Sequence, residues 1–152
     1  MAFNIKASLD AILSHLAASG RLSSYSLGEP VKVPEGAKLH GAVYMRRSGV
    51  DHLYLDGGTG EVHAVVVRLY RAVLRQPQSE GELELVNAVS ELTEDFAEDY
   101  TLGTTVREID LAAQFGEGIS AEWGHVEVSG SMFRVVDITL PLVVDDSATA
   151  AA

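Results

Sequence analysis

Histidines near carboxylates are the residues of this sequence that could bind a metal ion. The six candidates are His40, His52, His63, His125, Asp51 and Glu122. Imidazole and carboxylate groups are common ligands of zinc and other transition metals. Two ligands on one face of a strand need an even spacing, but Glu122 and His125 are three residues apart and would point to opposite faces. The pattern therefore favours surface or half-buried polar histidines over a metal site.

A row of acidic residues could carry acid–base chemistry. It lies in residues 76–106, which include no lysine or arginine. Glu91, Glu94, Asp95 and Glu98 fall on consecutive turns of a predicted helix. Neighbouring carboxylates can share protons, as paired catalytic acids do. Rows of this kind more often form a solvated face or a docking surface for a basic partner. We therefore expect a concentrated negative surface rather than a catalytic pair.

Glycine and serine motifs of nucleotide-binding and hydrolytic sites are incomplete here. The run Gly57-Gly58-Thr59-Gly60 lacks both the lysine of a P-loop and the spacing of a dinucleotide-binding loop. The segment Gly118–Glu122 lacks the second glycine of a serine nucleophile elbow. The chain has no cysteine, which excludes disulfides, thiolate zinc sites and cysteine nucleophiles. We interpret the glycine run, Asp56–Gly60, as a hairpin turn.

Two amphipathic helices are predicted among the elements that position these residues. Apolar residues at helical spacing predict a first helix over Asn4–Ser19, capped by Asn4 and ended by Gly20. A second helix is predicted over 80–98, where Ser79 and Glu82 fit a capping box. Its buried stripe is expected to consist of Leu85, Val86, Val89, Leu92 and Phe96.

Alternating apolar residues predict the strands. A short strand and a loop over 21–38 are followed by a strand at Leu39–Arg47. The strand Glu61–Leu74 is the most apolar in the chain, so we expect both faces to be covered in its middle. Its wetter end is predicted to carry Arg68, Tyr70 and Arg71.

Three further strands are predicted over 106–112, 119–128 and 132–144, the last two joined at Ser129-Gly130. Pro141 has no N–H to donate, which predicts a sheet edge or a bulge at that point. Helix, strands, helix and strands in this order predict an α+β fold, in which two main helices pack a mostly antiparallel mixed sheet. We expect one domain over 1–144. The C-terminal tail, 145–152, has no core-forming pattern, and subunit contacts could order it.

Net charge and hydropathy narrow the possible partners. The formal charge is −11, from 22 acidic and 11 basic residues, and such a surface repels nucleic-acid phosphate. Specific DNA binding is therefore disfavoured, although a repelling wall would suit a passage through which DNA slides. Because we find no signal peptide and no apolar run that could cross a bilayer, we expect the chain to be made in the cytoplasm without membrane contact.

Basic residues are concentrated in two clusters of arginines, and two roles are possible for these clusters. Arg46 with Arg47, and Arg68 with Arg71 and Arg75, could simply solvate the strand ends. They could instead meet the acidic helix of an identical neighbour in a head-to-tail contact. The interface residues predicted from this second interpretation are Arg46, Arg47, Arg68, Arg71, Glu91, Glu94, Asp95, Glu98, Asp145 and Asp146.

Four segments in consistent order carry a resemblance over nearly the whole chain. They are Met1–Asp10 with His15–Gly20, Val67–Tyr70 with Gln76-Pro77, Tyr100–Gly103 with Val106–Leu111, and Phe133–Val136 with Thr139–Val144. Together they resemble a family of small tail proteins from phages and prophages of actinobacteria, regarded as tail terminator or tail completion proteins. None of the segments is a catalytic motif, so the specificity lies in their combination.

The resemblance implies a non-enzymatic subunit of the virion, located at the head-proximal end of the tail. It implies a sixfold homo-oligomeric ring that caps the tail tube, ends its polymerisation and contacts the head–tail connector protein, while DNA passes without specific binding. It implies no cofactor, no metal and no catalytic residue.

Two alternatives remain open at this point. Within the same class, the chain could be a head–tail connector, a stopper or the tail tube protein itself. In a different class, it could be a small ligand-binding or metal-dependent hydrolytic domain that uses its histidines and carboxylates. A tightly retained metal that is lost when His63 or His125 is changed would favour the second class.

Overall fold

Helices and strands follow one another in the order expected of an α+β fold. The structure is a computed structural model that describes residues 4–34, 39–53, 59–73, 78–114, 116 and 118–145. Its elements are α1 (Ile5–Ala18), β1 (Leu22–Leu27), β2 (Leu39–Leu53), β3 (Thr59–Ala72), α2 (Gln78–Glu98), β4 (Glu108–Ile109), β5 (Ser120–Val128) and β6 (Ser131–Asp145). The α+β prediction is confirmed.

The described strands form one mixed sheet that curls into a half-barrel. Its order is β1-β2-β3-β6-β4, and β5 pairs with β6 beside β4. β1 runs parallel to β2, and the other described pairs are antiparallel. The β2–β3 pairing continues to Leu53 opposite Thr59, whereas the predicted hairpin turn at Asp56–Gly60 lies largely outside the described residues. Residues 146–152 of the predicted tail also lie outside them.

The first helix forms where its local sequence predicts it. The Asn4 side chain accepts a hydrogen bond from the Ala7 N–H at 3.2 Å, and the chain leaves the helix through Gly20, whose φ is +41°. Leu9, Ile12 and Leu16 face the sheet and are buried. The cap and the apolar stripe are both short-range signals, which is why the sequence is sufficient to predict this element.

The middle of β3 is covered on both faces, as predicted. Val65, Val67 and Leu69 belong to the main core between the sheet and the two helices. On the opposite face Val62, Ala64 and Val66 are also buried. We call the first face the helix side of the sheet and the second the open side.

The predicted wetter end of β3 is wrong for Tyr70 and Arg71, which are only 3% and 4% exposed. Tyr70 packs edge-on against Phe133, with ring centroids 6.1 Å apart. Arg71 extends beneath the first turns of α2, where its Nε donates to Glu84 Oε2 at 3.2 Å. A Cβ placed on Gly81 would overlap the Arg71 guanidinium, so a glycine in α2 makes room for this buried cation.

The second helix begins earlier than predicted, and its buried face differs at Val86, which is exposed, and at Ala88, which is buried. Because α2 starts at Gln78, Ser79 lies inside it and the predicted capping box is wrong. Glu82 accepts from Arg134 Nε at 2.5 Å instead of returning to the helix start. Val86 is 45% exposed, and the fully buried positions are Leu85, Ala88, Leu92 and Phe96. Glu82 and Arg134 lie 52 residues apart in the chain, so local spacing did not predict this contact.

The segment after α2 forms a shorter strand than the predicted 106–112. Only Glu108 and Ile109 pair with β6 as a strand, opposite Val143 and Leu142. The chain approaches through tight turns, in which Leu102 and Thr104 have φ of +48° and +68°, and such backbone cannot continue a ladder. By contrast, the predicted turn at Ser129-Gly130 is confirmed, with φ of +49° and +80°.

Pro141 lies in an interior strand, so the predicted position at the edge of the sheet is wrong. It is opposite Ala64 of β3 in the register of β6. Its carbonyl accepts from the Asp110 N–H at 2.8 Å on the other side of the strand. On that side β6 changes partner, because Ser120, the first residue of β5, is opposite Thr139, and Ile109, the last residue of β4, is opposite Leu142. The missing N–H therefore falls in the gap between two partner strands.

Candidate functional site

The predicted interface arginines occupy different environments. Arg46 and Arg47 are exposed on β2, next to a register shift that interrupts the pairing with β3. Arg71 is buried against Glu84, as described above. The structure therefore leaves the first two arginines on the surface and places the third beneath α2.

Arg68 is held on the open side of the sheet by two carboxylates. Its Nε and Nη2 donate to Asp137 Oδ1 and Oδ2 at 2.6 and 2.9 Å, and its Nη1 donates to Glu29 at 3.2 Å. The guanidinium carbon also lies 5.6 Å from the centroid of the Tyr44 ring. The hydrogen bonds to Asp137 raise the pKa of Arg68, while burial opposes them. Most of its charge is thus compensated within the chain.

The predicted acidic row forms one stripe on the C-terminal half of α2. Glu91 accepts two hydrogen bonds from Arg21, at 2.6 and 2.7 Å, and these hold its pKa below the usual value. Glu94 and Glu98 are exposed and Asp95 is half-buried. We call these last three residues the acidic stripe. The side chain of Asp145 and the whole of Asp146 lie outside the described residues.

The candidate metal ligands do not come together in the part of the chain that the structure describes. No group of three or more histidine or acidic side chains is placed to hold a metal there. His63 contacts Ser48 at 2.8 Å and Glu61 at 3.0 Å. His125 and Glu122 are exposed on β5, and the side chains of Asp51 and His52 are not among those described.

His40 is fully buried rather than at the surface or half-buried, which corrects the prediction for this residue. Its ring contacts the Ser24 hydroxyl at 2.7 Å through Nδ1 and the Ser26 hydroxyl at 3.2 Å through Nε2. The Ser26 hydroxyl also donates to the Gly28 carbonyl, so it can accept from Nε2–H, while Ser24 donates to Nδ1. This neutral imidazole joins β1 to β2. The alternate serines of β1 are the sequence signal for this cluster.

Protonation of His40 should weaken the protein at acid pH. Burial lowers its pKa from 6.5, so below about that pH the unfolded chain binds a proton that the native state resists. We expect the free energy of unfolding to fall as the pH drops from 7 to 5, and His40→Asn to be less stable at pH 7 but less dependent on pH. His125→Asn, at an exposed position, is the matched control for the loss of a histidine. Urea titrations at several pH values measure this, and equal slopes for all three proteins would refute it.

Large apolar side chains are exposed near the two lateral edges of the sheet. On β1, Tyr25 and Leu27 are 49% and 59% exposed, and Met45 on the neighbouring β2 is 38% exposed. On β5, Trp123 is 39% exposed. Exposed apolar side chains that cluster at a free edge are typical of surfaces that contact another protein.

A shallow cavity of about 410 Å³ lies on the open side. Its lining residues are Glu29, Pro30, Val31, Arg68, Tyr70, Val126, Glu127, Val128 and Ser129. Burial raises the pKa of Tyr70, and it raises that of nearby Tyr44 to about 12, so both phenols remain protonated donors at neutral pH. The single cation of this lining is already bonded to Asp137 and Glu29.

Comparisons with known proteins leave the chain without an assigned family, because no family model and no curated protein sequence matches it. In the described part of the chain, no helix is long and apolar enough to cross a membrane. The geometry above is therefore the basis for a functional proposal, together with the resemblance carried by the four sequence segments.

Proposed function

We propose that this chain is a non-enzymatic structural subunit of a phage tail, and that it acts as the tail terminator. In this role identical subunits form a ring, sixfold in the resembling family, that caps the tail tube, stops its growth and contacts the head connector. The α+β fold fits the architecture that the resemblance implies. The role requires surfaces for subunit and partner contacts, and it requires no catalytic centre.

The observation that carries the proposal is the placement of the acidic stripe. Glu94, Asp95 and Glu98 lie toward the C-terminal end of α2, where the helix dipole is negative and no basic residue occupies the last turn. Carboxylates at this end are unfavourable by roughly 0.3–1 kcal/mol each, and like charges on adjacent turns repel. We therefore expect that the stripe does not stabilise the helix. A charged surface that lines a DNA passage or receives a basic partner explains its presence.

Neutralising the acidic stripe should make the protein more stable but less able to support phage growth. The triple variant Glu94→Gln, Asp95→Asn and Glu98→Gln is expected to raise the free energy of unfolding by about 1–2 kcal/mol, because unfavourable charge is removed from the helix end. The same variant should complement a phage deleted for this gene less well than the wild type. Chemical denaturation and plaque counts measure the two effects. A destabilised variant would contradict the electrostatic argument, and full complementation would contradict the functional one.

Location on the particle tests the proposal directly. Gold-labelled antibodies against this chain should mark the head-proximal end of purified tails. Label along the whole tube would instead identify a tube protein, and label that stays on heads separated from tails would identify a connector. Unlabelled tails and heads, with the protein detectable in the lysate, would contradict a structural role in the virion.

The open-side cavity is the observation that favours a different class, a small ligand-binding domain. Arg68, Tyr70 and Glu29 provide polar groups around about 410 Å³ of space. Retention of a small molecule by the purified protein, lost in Tyr70→Phe, would favour that function. The carboxylates that already bind Arg68 compete with any anionic ligand, so the terminator proposal remains the better supported one.

A further inference from the structure

The two lateral edges of the sheet are open in the described part of the chain. β1 stands first in the strand order and pairs only with β2 among the described strands, while β5 pairs only with β6. An open edge presents backbone N–H and C=O groups that can pair with another strand. Charged residues and prolines commonly block such pairing: β1, Leu-Ser-Ser-Tyr-Ser-Leu, contains neither, whereas β5 contains no proline but carries Glu122 and Glu127.

The exposed apolar side chains of the two edges lie on the same side of the sheet. Tyr25 is opposite Gly41 and Leu27 is opposite Val43, whose side chain belongs to the main core. Trp123 of β5 is opposite Val136, which belongs to the same core. Paired residues of neighbouring strands share a face. Tyr25, Leu27 and Trp123 therefore all project on the helix side, at opposite edges of one sheet.

We propose that β1 of one subunit pairs with β5 of the next, so that the sheet continues from subunit to subunit around the ring. The joint adds backbone hydrogen bonds and brings Tyr25 and Leu27 of one copy against Trp123 of its neighbour. Both halves of the contact are present on one chain, which is why the partner is a second copy. The proposal rests on the proposed function for the ring itself, and it specifies which strands form the subunit contact.

The direction of the contact follows from the position of the edges. Because β1 and β5 are different edges of the same sheet, the joint is head-to-tail rather than two-fold symmetric. Head-to-tail contacts repeat until rotation closes a ring, or else they grow into a filament.

Cysteine cross-linking tests the joint, since the native chain has no cysteine. We would prepare Leu27→Cys, Trp123→Cys and the double variant, and treat each purified protein at high concentration with a short bis-maleimide. The double variant should give a ladder of cross-linked species up to the closed ring. An equimolar mixture of the single variants should give dimers, and each single variant alone should remain uncross-linked. Dimers of Leu27→Cys alone would overturn the head-to-tail joint.

Lysine substitutions at the two edges provide a second test of the joint. Leu27→Lys and Trp123→Lys should each abolish the assembly detected by native mass spectrometry, because lysine on an edge strand opposes strand addition. Leu83→Lys is the control, since Leu83 is 62% exposed but lies on α2 rather than on an edge strand, and it should assemble like the wild type. Circular dichroism checks that all three variants are folded. Absence of a ladder, or assembly unaffected by both edge lysines, would overturn the joint, while gold labelling of tail ends would still decide the terminator role.

Discussion

Arg71→Glu should destabilise the protein by about 3–5 kcal/mol, because it replaces a buried cation with an anion beside Glu84. Natural domains of this size have a total stability of about 5–15 kcal/mol, so much of the variant should be unfolded at modest temperature. The side chain of Arg71 is 3% exposed and that of Glu84 is 23% exposed. The carboxylate introduced at position 71 would therefore have little access to water. Thermal and urea unfolding of the two proteins measure the loss.

Two companion variants separate charge from packing at this position. Arg47→Glu, at an exposed position on β2, should change the stability by no more than about 0.5 kcal/mol. Arg71→Met combined with Glu84→Gln should recover much of the loss, because apolar or neutral groups can replace a buried ion pair at little cost. If Arg71→Glu were as stable as the wild type, the buried position of this arginine would be refuted.

Phe96→Ala should lower the free energy of unfolding by about 3–5 kcal/mol, since a fully buried ring is replaced by a cavity. The ring lies between α2 and α1, where it packs edge-on against His15 with centroids 5.2 Å apart. His15 in turn contacts Asp99 at 2.8 Å, so the truncation also loosens the contact that joins the two helices. Urea unfolding followed by circular dichroism measures the effect.

Val86→Ala is the control for the truncation of α2. Val86 is 45% exposed, and its removal should cost no more than about 0.5 kcal/mol. Equal losses for Phe96→Ala and Val86→Ala would contradict the orientation of α2 found in the structure. The sequence alone had placed both residues in the buried stripe, so this comparison also distinguishes the two descriptions of the helix.

Local signals predicted some of the elements well, because those elements depend on neighbouring residues. The cap at Asn4 and the apolar spacing of α1 are read within a few turns. The apolar run of β3 predicted burial on both faces, and the turn at Ser129-Gly130 was evident from its residue types. The α+β class followed from the order of these elements.

Features set by distant contacts were missed. Arg134 and Arg71 bind Glu82 and Glu84 of α2, and the residue spacing within the helix did not predict either contact. Arginine is rarely buried, so no pattern in the sequence predicted that Arg71 would lie beneath a helix. Likewise the parallel pairing of β1 with β2, and with it the burial of His40, is a tertiary feature.

For the candidate interface, the sequence predicted which residues are charged but could not predict which charges are compensated. Arg68 is bonded to Asp137 and Glu91 is bonded to Arg21, so each has a partner within its own chain. Arg46, Arg47 and the acidic stripe remain at the surface. The open edges of β1 and β5 depend on the strand order, which the sequence did not provide.

Electron microscopy of lysates from a phage that carries a nonsense mutation in this gene tests the central claim most directly. The terminator role predicts overlong tails without heads, because tube growth has lost its stop, and normal particles after complementation with the intact gene. Filled heads beside unattached tails of normal length would contradict the terminator role in favour of a connector. Intact infectious particles would contradict any essential role in the tail.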